Sequence, residues 1–426
     1  LKAENNVITL KAELPAYGGL SIGKWTGKIV FIKNAIPGET IEAILEEERK
    51  DYYTASTTKI LEPSPDRIEP LCKFFGQLSV PFSGLCGGCQ FQYISYQRQI
   101  KLKEEILKDS LKRIGKIDID LSKSLIYDSP WHYRYRGQFK VSHGKIGFYR
   151  EKTREVIDID GCPLMIEEIN DYLLKVRGIL KNSGYLSVVS EIYMSYGNES
   201  IALIKTKGKQ PVKWDRLAST FLHAGFSGLF IDSGERRLLK YGSQYITLDL
   251  EGLKYTISPK SFFQSHWRLN QTVVGFVKEC LQPLKGKKVL DLYSGAGNFS
   301  LPIALDSDEV IAVEENPFAI EDGRRNLQIN GIKNCRFIRS SIEGLNIKYS
   351  TDILILDPPR LGLTNAAMDK ILAMMPERIV YVSCNPTTLA RDIRKLFAAY
   401  ELESIRMIDF FPQTYHIESL AFLRMK

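Results

Sequence analysis

The reactive side chains of this 426-residue chain are thiols and carboxylates placed at the ends of apolar runs. Cys384 follows the run RIVYVS and precedes Asn385-Pro386 and a helical stretch, TLARDIRKLF. A free thiol of pKa near 8.5 is only about 3% thiolate at pH 7, and a helix N-terminus lowers that pKa. A cysteine at such a junction reads as a nucleophile, against the plainer alternative of a buried packing residue. Near the C-terminus, IDFFPQTYHIESLAFL reads as two strands around a Pro-Gln-Thr loop, with His416 and Glu418 on one strand face. Glu418 is a candidate general base. The cysteine count, seven, is odd, and Cys86-Gly87-Gly88-Cys89 forms a C-x-x-C pair without an export signal. Metal binding or catalysis is expected of these thiols, not a disulfide scaffold.

A second constellation points to a nucleoside ligand. The strand-like run KKVLDLY leads into Ser294-Gly295-Ala296-Gly297-Asn298, and the next strand, EVIAVE, ends in Glu314. Glycines at that turn let backbone N–H groups approach a ligand, and the carboxylate suits ribose hydroxyls. Ser300 stands where a dinucleotide site would carry its third glycine. A nucleoside without phosphates, S-adenosylmethionine, is therefore favoured over NAD. Asp357-Pro358-Pro359-Arg360 follows TDILIL, which puts Asp357 at the carboxyl edge of the sheet, where open α/β sheets bind ligands. Arg360 takes the place where an aromatic residue would hold a planar amine, which argues against nitrogen as the methyl acceptor.

These residues need elements to hold them. Residues 1–62 alternate apolar and polar with glycine and proline punctuation, the pattern of a small β-barrel. EPSPDRIEP reads as an extended linker. Ile100, Ile106, Leu107, Leu111 and Ile114 recur at helical spacing, predicting an amphipathic helix over about 93–114 with its charges on a solvated face, packing on the catalytic domain. From about 125 to 255 the pattern is mixed α+β, including a hairpin turning at Glu251-Gly252. Beyond about 265, apolar strands alternate with helical stretches, the rhythm of a parallel sheet. Hydrophobic content of 44% and charged content of 25% exclude global disorder. No run is long enough to span a membrane and no secretory signal is visible, so a cytoplasmic protein is expected.

The motifs SFFQ (with Gln264), DLYSGAGNF, DPPR, YVSCNP and FPQTYHIE, in this order, resemble the RNA 5-methyluridine (uracil-C5) methyltransferase family. CGGC-Q and the N-terminal barrel resemble the subfamily that adds an iron–sulfur cluster and a TRAM domain, the type acting on 23S rRNA. The resemblance implies a multidomain fold: an OB-like TRAM barrel over 1–62, a central RNA-binding α+β domain with a four-cysteine site over 63–255, and a Rossmann-like methyltransferase domain over 256–426. It implies that Gln264, Tyr293, Asn298, Glu314, Ser341 and Asp357 contact S-adenosylmethionine or frame its site, that Cys384 is the nucleophile and that Glu418 removes the carbon-5 proton. Cys72, Cys86, Cys89 and Cys162 become cluster ligands. Four thiolates suit zinc as well as 4Fe-4S, and only the resemblance selects iron–sulfur. Two departures stand out: Ser294 replaces a frequent cysteine, and the gap between Cys72 and Cys86 exceeds the family's usual spacing.

The chemistry fits these residue types. Thiolate addition to carbon 6 of uracil makes carbon 5 an enolate-type nucleophile, and a base then removes its proton. For RNA contact, WHYRYRGQFKVSHGKIGFYREKTR over 131–154 holds seven Lys or Arg against one acid with six aromatics interleaved. Cations meet phosphates there while aromatics stack on unpaired bases; Arg134, Arg136, Lys140 and, further along, Phe263 are the expected contacts. The net charge of +8 is otherwise mild. A flipped target uridine and a monomeric enzyme are expected. The substrate stays open between 23S rRNA, which is favoured, and the tRNA T-loop. An RNA-binding or RNA-folding protein with an incidental methyltransferase fold is the alternative from another class.

Overall fold

Alternation governs the N-terminal region. In Val7–Lys11, Ile8 and Leu10 turn inward while their neighbours face solvent, as a half-buried strand requires. The strands Leu14–Ala16, Leu20–Trp25, Lys28–Lys33, Thr40–Glu48 and Tyr52–Glu62 complete one six-stranded sheet. Val30, Ile32, Ile41, Ala43 and Ala55 are fully buried in its core. The computed structural model describes residues 6–76, 86–208, 213–234, 238–345 and 350–426.

The chain forms two compact units, and neither is continuous in sequence. One comprises Leu1–Asp109, Gly147–Ile159 and Phe411–His416; the other comprises Ser110–Ile146, Asp160–Phe410 and Ile417–Lys426. This differs from the three consecutive segments expected, because short excursions of the chain join the N-terminal unit long after it has been left.

The first unit also holds the helix Tyr96–Ser110 as far as Asp109. Leu102, Ile106 and Leu107 are buried, as the periodicity demands. The expected solvated face is there in Lys101, Glu105, Lys108 and Asp109, which are exposed, but Lys103 departs from it and is fully buried, as is the uncharged Gln99. The turn Leu111–Gly115 belongs to the second unit, where the Arg394 guanidinium donates to the Ile114 carbonyl at 3.5 Å.

Short apolar runs buried on both faces build the main sheet of the second unit, as parallel strands covered by helices require. Its order is Cys335–Arg339, Glu309–Glu314, Lys288–Leu292, Ile353–Leu356, Arg378–Ser383, Glu418–Met425, Tyr400–Ile408. The first five strands are parallel; Glu418–Met425 runs antiparallel to them, and Tyr400–Ile408, antiparallel to it in turn, shares their direction. Chain order reverses direction at Lys288–Leu292, so the crevice beside that strand's carboxyl end is the topological switch point. A second sheet brings together Leu239–Gly242, Gly228–Asp232, Ser200–Thr206, Val189–Tyr196 and Arg136–Ser142. The expected hairpin is present: Ile246–Leu250 pairs with Leu253–Ile257, and Glu251 and Gly252 both have positive φ, as a tight two-residue turn requires.

Candidate active site

Parallel register brings the strand ends together. Leu292 pairs with Val313 on one side and Leu356 on the other, and Leu356 pairs with Tyr381. The residues that follow, Tyr293, Glu314, Asp357 and, a little further along its strand, Cys384, therefore emerge along one carboxyl edge. The antiparallel pairing of Arg378–Ser383 with Glu418–Met425 ends at Ser383 opposite Ser419. One further step of that register sets Cys384 opposite Glu418. Nucleophile and base candidates, separated in the chain, are adjacent because one strand returns beside the other.

The edge is electronegative and poorly hydrated. Burial, then the charge of Asp357, raises the Glu418 carboxyl well above its ordinary range, while Arg360 opposes the rise. Burial and Glu314 push Asp357 up to about 7. Asp291, with one oxygen accepting from Ser300 and the other unpartnered, also rises to about 7, chiefly through burial. The Cys384 thiol is pushed up to about 12 by burial first, then by Glu418 and Asp357. This corrects the expectation of a thiol acidified by its helix. The helix Pro386–Leu396 does begin there, with Asn385 capping Thr387 N–H at 3.0 Å, but desolvation and two carboxylates outweigh its dipole.

The glycine turn is built as expected. Gly295 and Gly297 have φ of +56° and +93°. Glu314 closes the turn onto the neighbouring strand: one oxygen accepts from Gly295 N–H at 3.0 Å, the other from Glu315 and Asn316 N–H, both at 2.8 Å. Asn298 exchanges two amide hydrogen bonds with Asn270, at 2.7 and 3.0 Å, tying the turn to the helix Trp267–Cys280. Ser300 donates to Asp291 instead of giving close backbone approach. Ser341, beyond Cys335–Arg339, accepts from Gly344 N–H at 3.0 Å. Tyr293 is half-buried at positive φ, and Gln264 is half-buried ahead of the helix Trp267–Cys280.

Sequence reasoning missed several supports, among them Asn270, Asp291 and Asp392. Asp392 is fully buried and accepts from Leu363 N–H at 2.9 Å, Tyr381 Oη at 2.8 Å and Arg391 Nε at 2.8 Å. Arg391 in turn donates to the carbonyls of Leu361 and Leu363. Together they hold the loop that carries Arg360. Burying a carboxylate on an otherwise apolar helix face was the available signal, and helical periodicity places Asp392 beside Leu389 and Leu396.

The four expected RNA contacts have different surroundings. Arg136 lies over the rings of Phe262 and Phe263, 5.3 Å from each centroid. Phe263 itself is buried, whereas Phe262 is 60% exposed. Lys140 is bound to Glu191 at 2.5 Å, which draws its charge inward. Arg134 is half-buried with its Nε unpartnered among the described residues. A cleft of about 460 Å³ is lined by Arg136, Tyr193, Lys205, Asp232, Lys260 and Phe262, among others. Asn316, two residues beyond Glu314, closes its rim.

Cys72, Cys86 and Cys89 lie in the first unit and Cys162 in the second; all four are half-buried thiols, none of them in a disulfide. Gly88 N–H points at Cys86 Sγ at 3.4 Å, and Asn170 binds both the N–H and the carbonyl of Cys162. Among the described residues, no three His, Cys, Asp or Glu side chains converge as a metal site. A four-thiolate cluster needs all its sulfurs around one centre. No step below runs through a cluster. Cys335 is buried and Cys280 half-buried.

An open parallel sheet with a glycine turn, a strand-end carboxylate after it and a thiol beside a buried acid defines an α/β enzyme working at its carboxyl edge. More particularly, the chain belongs to the tRNA (uracil-5-)-methyltransferase family, whose model matches residues 95–352 and 344–426. It is an RNA uracil-C5 methyltransferase. It is 35% identical to an uncharacterized RNA methyltransferase of Aquifex aeolicus, over 98% of this chain and 99% of the relative. It is 31% identical to the 23S rRNA (uracil(1939)-C(5))-methyltransferase RlmD of Shewanella amazonensis, over 98% of this chain and 96% of that protein. The crystal structure of Pyrococcus abyssi tRNA (uracil-54, C5)-methyltransferase in complex with S-adenosyl-L-homocysteine superposes with a TM-score of 0.76 at 26% identity, covering 97% of this chain and 99% of that one.

Proposed function

We propose that the protein methylates carbon 5 of a uridine in 23S rRNA, with S-adenosylmethionine as donor and a covalent adduct between Cys384 and carbon 6. The observation that carries this reading is the strand register that sets Cys384 opposite Glu418 at the switch-point edge. The edge suits a sulfonium cofactor: Asp291, Asp357 and Glu418 leave it rich in acid groups whose proton affinities are raised by burial first and then by neighbouring carboxylates, and a bound cation favours their charged forms. The Cβ position of Gly295 faces open space, and Glu314 lies where ribose hydroxyls would be held. Tyr293, Gln264, Asn298 and Ser341 frame the same edge. The donor, when bound, supplies an electrophilic methyl group on a cationic sulfur.

This chain's residues then act in order. Arg360 already opposes the rise of the Cys384 thiol, and the positive charge of the donor lowers it further. The thiolate forms a bond to carbon 6, and the uracil electron pair moves to carbon 5 and its carbonyl oxygen. Carbon 5 takes the methyl group, and the carbon–sulfur bond of the donor breaks, releasing S-adenosylhomocysteine. Glu418 accepts the carbon-5 proton, and the electrons of that bond expel the thiolate from carbon 6. Replacing the substrate uridine by 5-fluorouridine blocks proton removal, so a methylated protein–RNA adduct is expected. It is absent in Cys384→Ala; an adduct that survives this substitution overturns the assignment.

Support for ribosomal RNA comes from the Shewanella relative, matched along nearly its whole length. A T-loop uridine of tRNA is the second reading, favoured by the Pyrococcus structure. Mapping 5-methyluridine in total RNA with and without this gene decides between them. The N-terminal sheet as a TRAM-like RNA module, and Arg134, Arg136, Phe263 and the adjoining cleft as RNA contacts, belong to the same proposal. Iron–sulfur or zinc ligation by Cys72, Cys86, Cys89 and Cys162 rests on sequence spacing and resemblance alone. Iron, sulfide and zinc analysis of anaerobically purified protein tests it.

A further inference from the structure

The six residues Phe411–His416 lie between two strands of the second unit, yet they belong to the first. The chain leaves the main sheet after Ile408 and returns to it at Glu418. Asp409 N–H still donates to the Leu125 carbonyl of the second unit at 3.0 Å, but from Phe411 to His416 the anchors described below are residues of the first. Gln413 has φ +68° and is only 2% exposed, so its backbone sits where a side chain is disfavoured unless its surroundings hold it. They do. Its carbonyl accepts from Gln90 and Phe91 N–H, both at 3.0 Å. Its N–H donates to Gln99 Oε1 at 3.0 Å, and its side-chain oxygen accepts from Gln99 Nε2 at 2.9 Å.

Gln99 is itself fixed. The same Nε2 lies 3.1 Å from the Phe91 carbonyl and 2.9 Å from the Ile94 carbonyl, and the side chain is fully buried. One turn further along the helix, the buried Lys103 ammonium donates to the Phe411 carbonyl at 3.0 Å. Ring contacts add to the hold: Tyr17 meets Tyr415 edge-on at 5.6 Å. Buried polar groups on an exposed-type helix cost stability unless all their partners are made. Here those partners converge on a loop whose exit is Ile417-Glu418.

We infer that Gln99 is a positioning residue for Glu418: through Gln413 it fixes the loop that delivers the base, so proton removal, not adduct formation, depends on it. The inference rests on the assignment of Glu418 as base. It also gives the segment after Cys89, whose Gln90 and Phe91 hold Gln413, a part in the reaction without any electron transfer.

The test is single-turnover methylation with tritiated S-adenosylmethionine and RNA extracted from cells lacking this gene, with protein–RNA adducts resolved on denaturing gels. Gln99→Ala is expected to form the methylated adduct within about twofold of the wild-type rate and to release product at least about tenfold more slowly. Adduct therefore accumulates, as it does in Glu418→Gln. Gln413→Gly is the companion variant: glycine accepts the positive φ and keeps the main-chain bonds, the one to Gln99 Oε1 included, while the side-chain bond from Gln99 Nε2 is lost and the loop is held less tightly. It is expected to accumulate adduct too. The inference is overturned if either folded variant releases product at the wild-type rate, or if formation and release fall in equal proportion, the mark of a merely structural role. If Gln99→Ala fails to fold, Gln413→Gly alone decides. Should Glu418→Gln itself accumulate no adduct, the base assignment fails, a separate result.

Discussion

At the scale of single residues, the site's main property is buried acid that a single guanidinium, Arg360, only partly offsets. Cys384, Glu418 and Asp357 each hold their protons more tightly than the free side chains do, chiefly through burial; Asp357 adds to the rise of both the others, and Glu418 to that of the thiol. The sign of that coupling can be measured. Asp357→Asn removes a negative charge that opposes thiolate formation, so in cofactor-free protein at pH 9 Cys384 should react faster with iodoacetamide. Arg360→Ala removes the opposing positive charge and should slow the same reaction. The direction follows because alkylation consumes thiolate, whose fraction rises as the thiol pKa falls. Peptide mass spectrometry of Cys384 provides the readout, and an unchanged or reversed order would show that the carboxylates do not face the thiol.

At the scale of elements, the strand ends were legible because each is local: an apolar run, then a residue that does chemistry. Cys384, Asp357, Glu314 and the glycine turn all follow from that rule, as does the hairpin at Glu251-Gly252. What escaped notice depends on partners far away in the chain. Gln99 and Lys103 look solvated in a helix pattern, and the partner of Gln99 lies 314 residues away. The thiol's acidity was misjudged for the same reason, since its helix is local while the opposing Glu418 arrives from another strand. Within the glycine turn the two glycines are not equivalent. A Cβ on Gly295 meets nothing within 4 Å, whereas one on Gly297 runs into the Leu301 side chain and comes within 3.0 Å of the Phe337 ring. Gly297→Ala should therefore cost about 1–3 kcal/mol or more in chemical denaturation, and Gly295→Ala only about 1–2 kcal/mol.

At the scale of the whole molecule, the proposed RNA surface is a matter of charge that is available rather than charge that is present. Lys140 is held by Glu191, and Lys260 by Asp232 at 2.9 Å. If RNA enters the cleft beside Arg136 and Phe262, the carboxylate of Asp232 competes with phosphate for Lys260. Asp232→Asn should tighten binding of a short single-stranded oligouridine. Lys260→Ala should weaken it about three- to tenfold and reduce the log–log salt slope by about one. Fluorescence anisotropy across a salt series distinguishes this from a structural ion pair, for which both substitutions would leave the slope alone. No helix among the described residues is long and apolar enough to cross a membrane.

The interleaving of the two compact units also bears on how the protein is made. A ribosome synthesises the first unit's sheet within its opening stretch, yet that unit lacks its last piece until Phe411–His416 emerges. The second unit lacks the strand beginning at Glu418 until the residues after that are made. A chain that stops short of Phe411 therefore completes neither unit, and it carries Cys384 without Glu418, one of the two groups on which the proposed reaction depends. Synthesis is in this sense all-or-nothing: the residues from Phe411 onward contribute to both units, so a product truncated before them is expected to show no turnover.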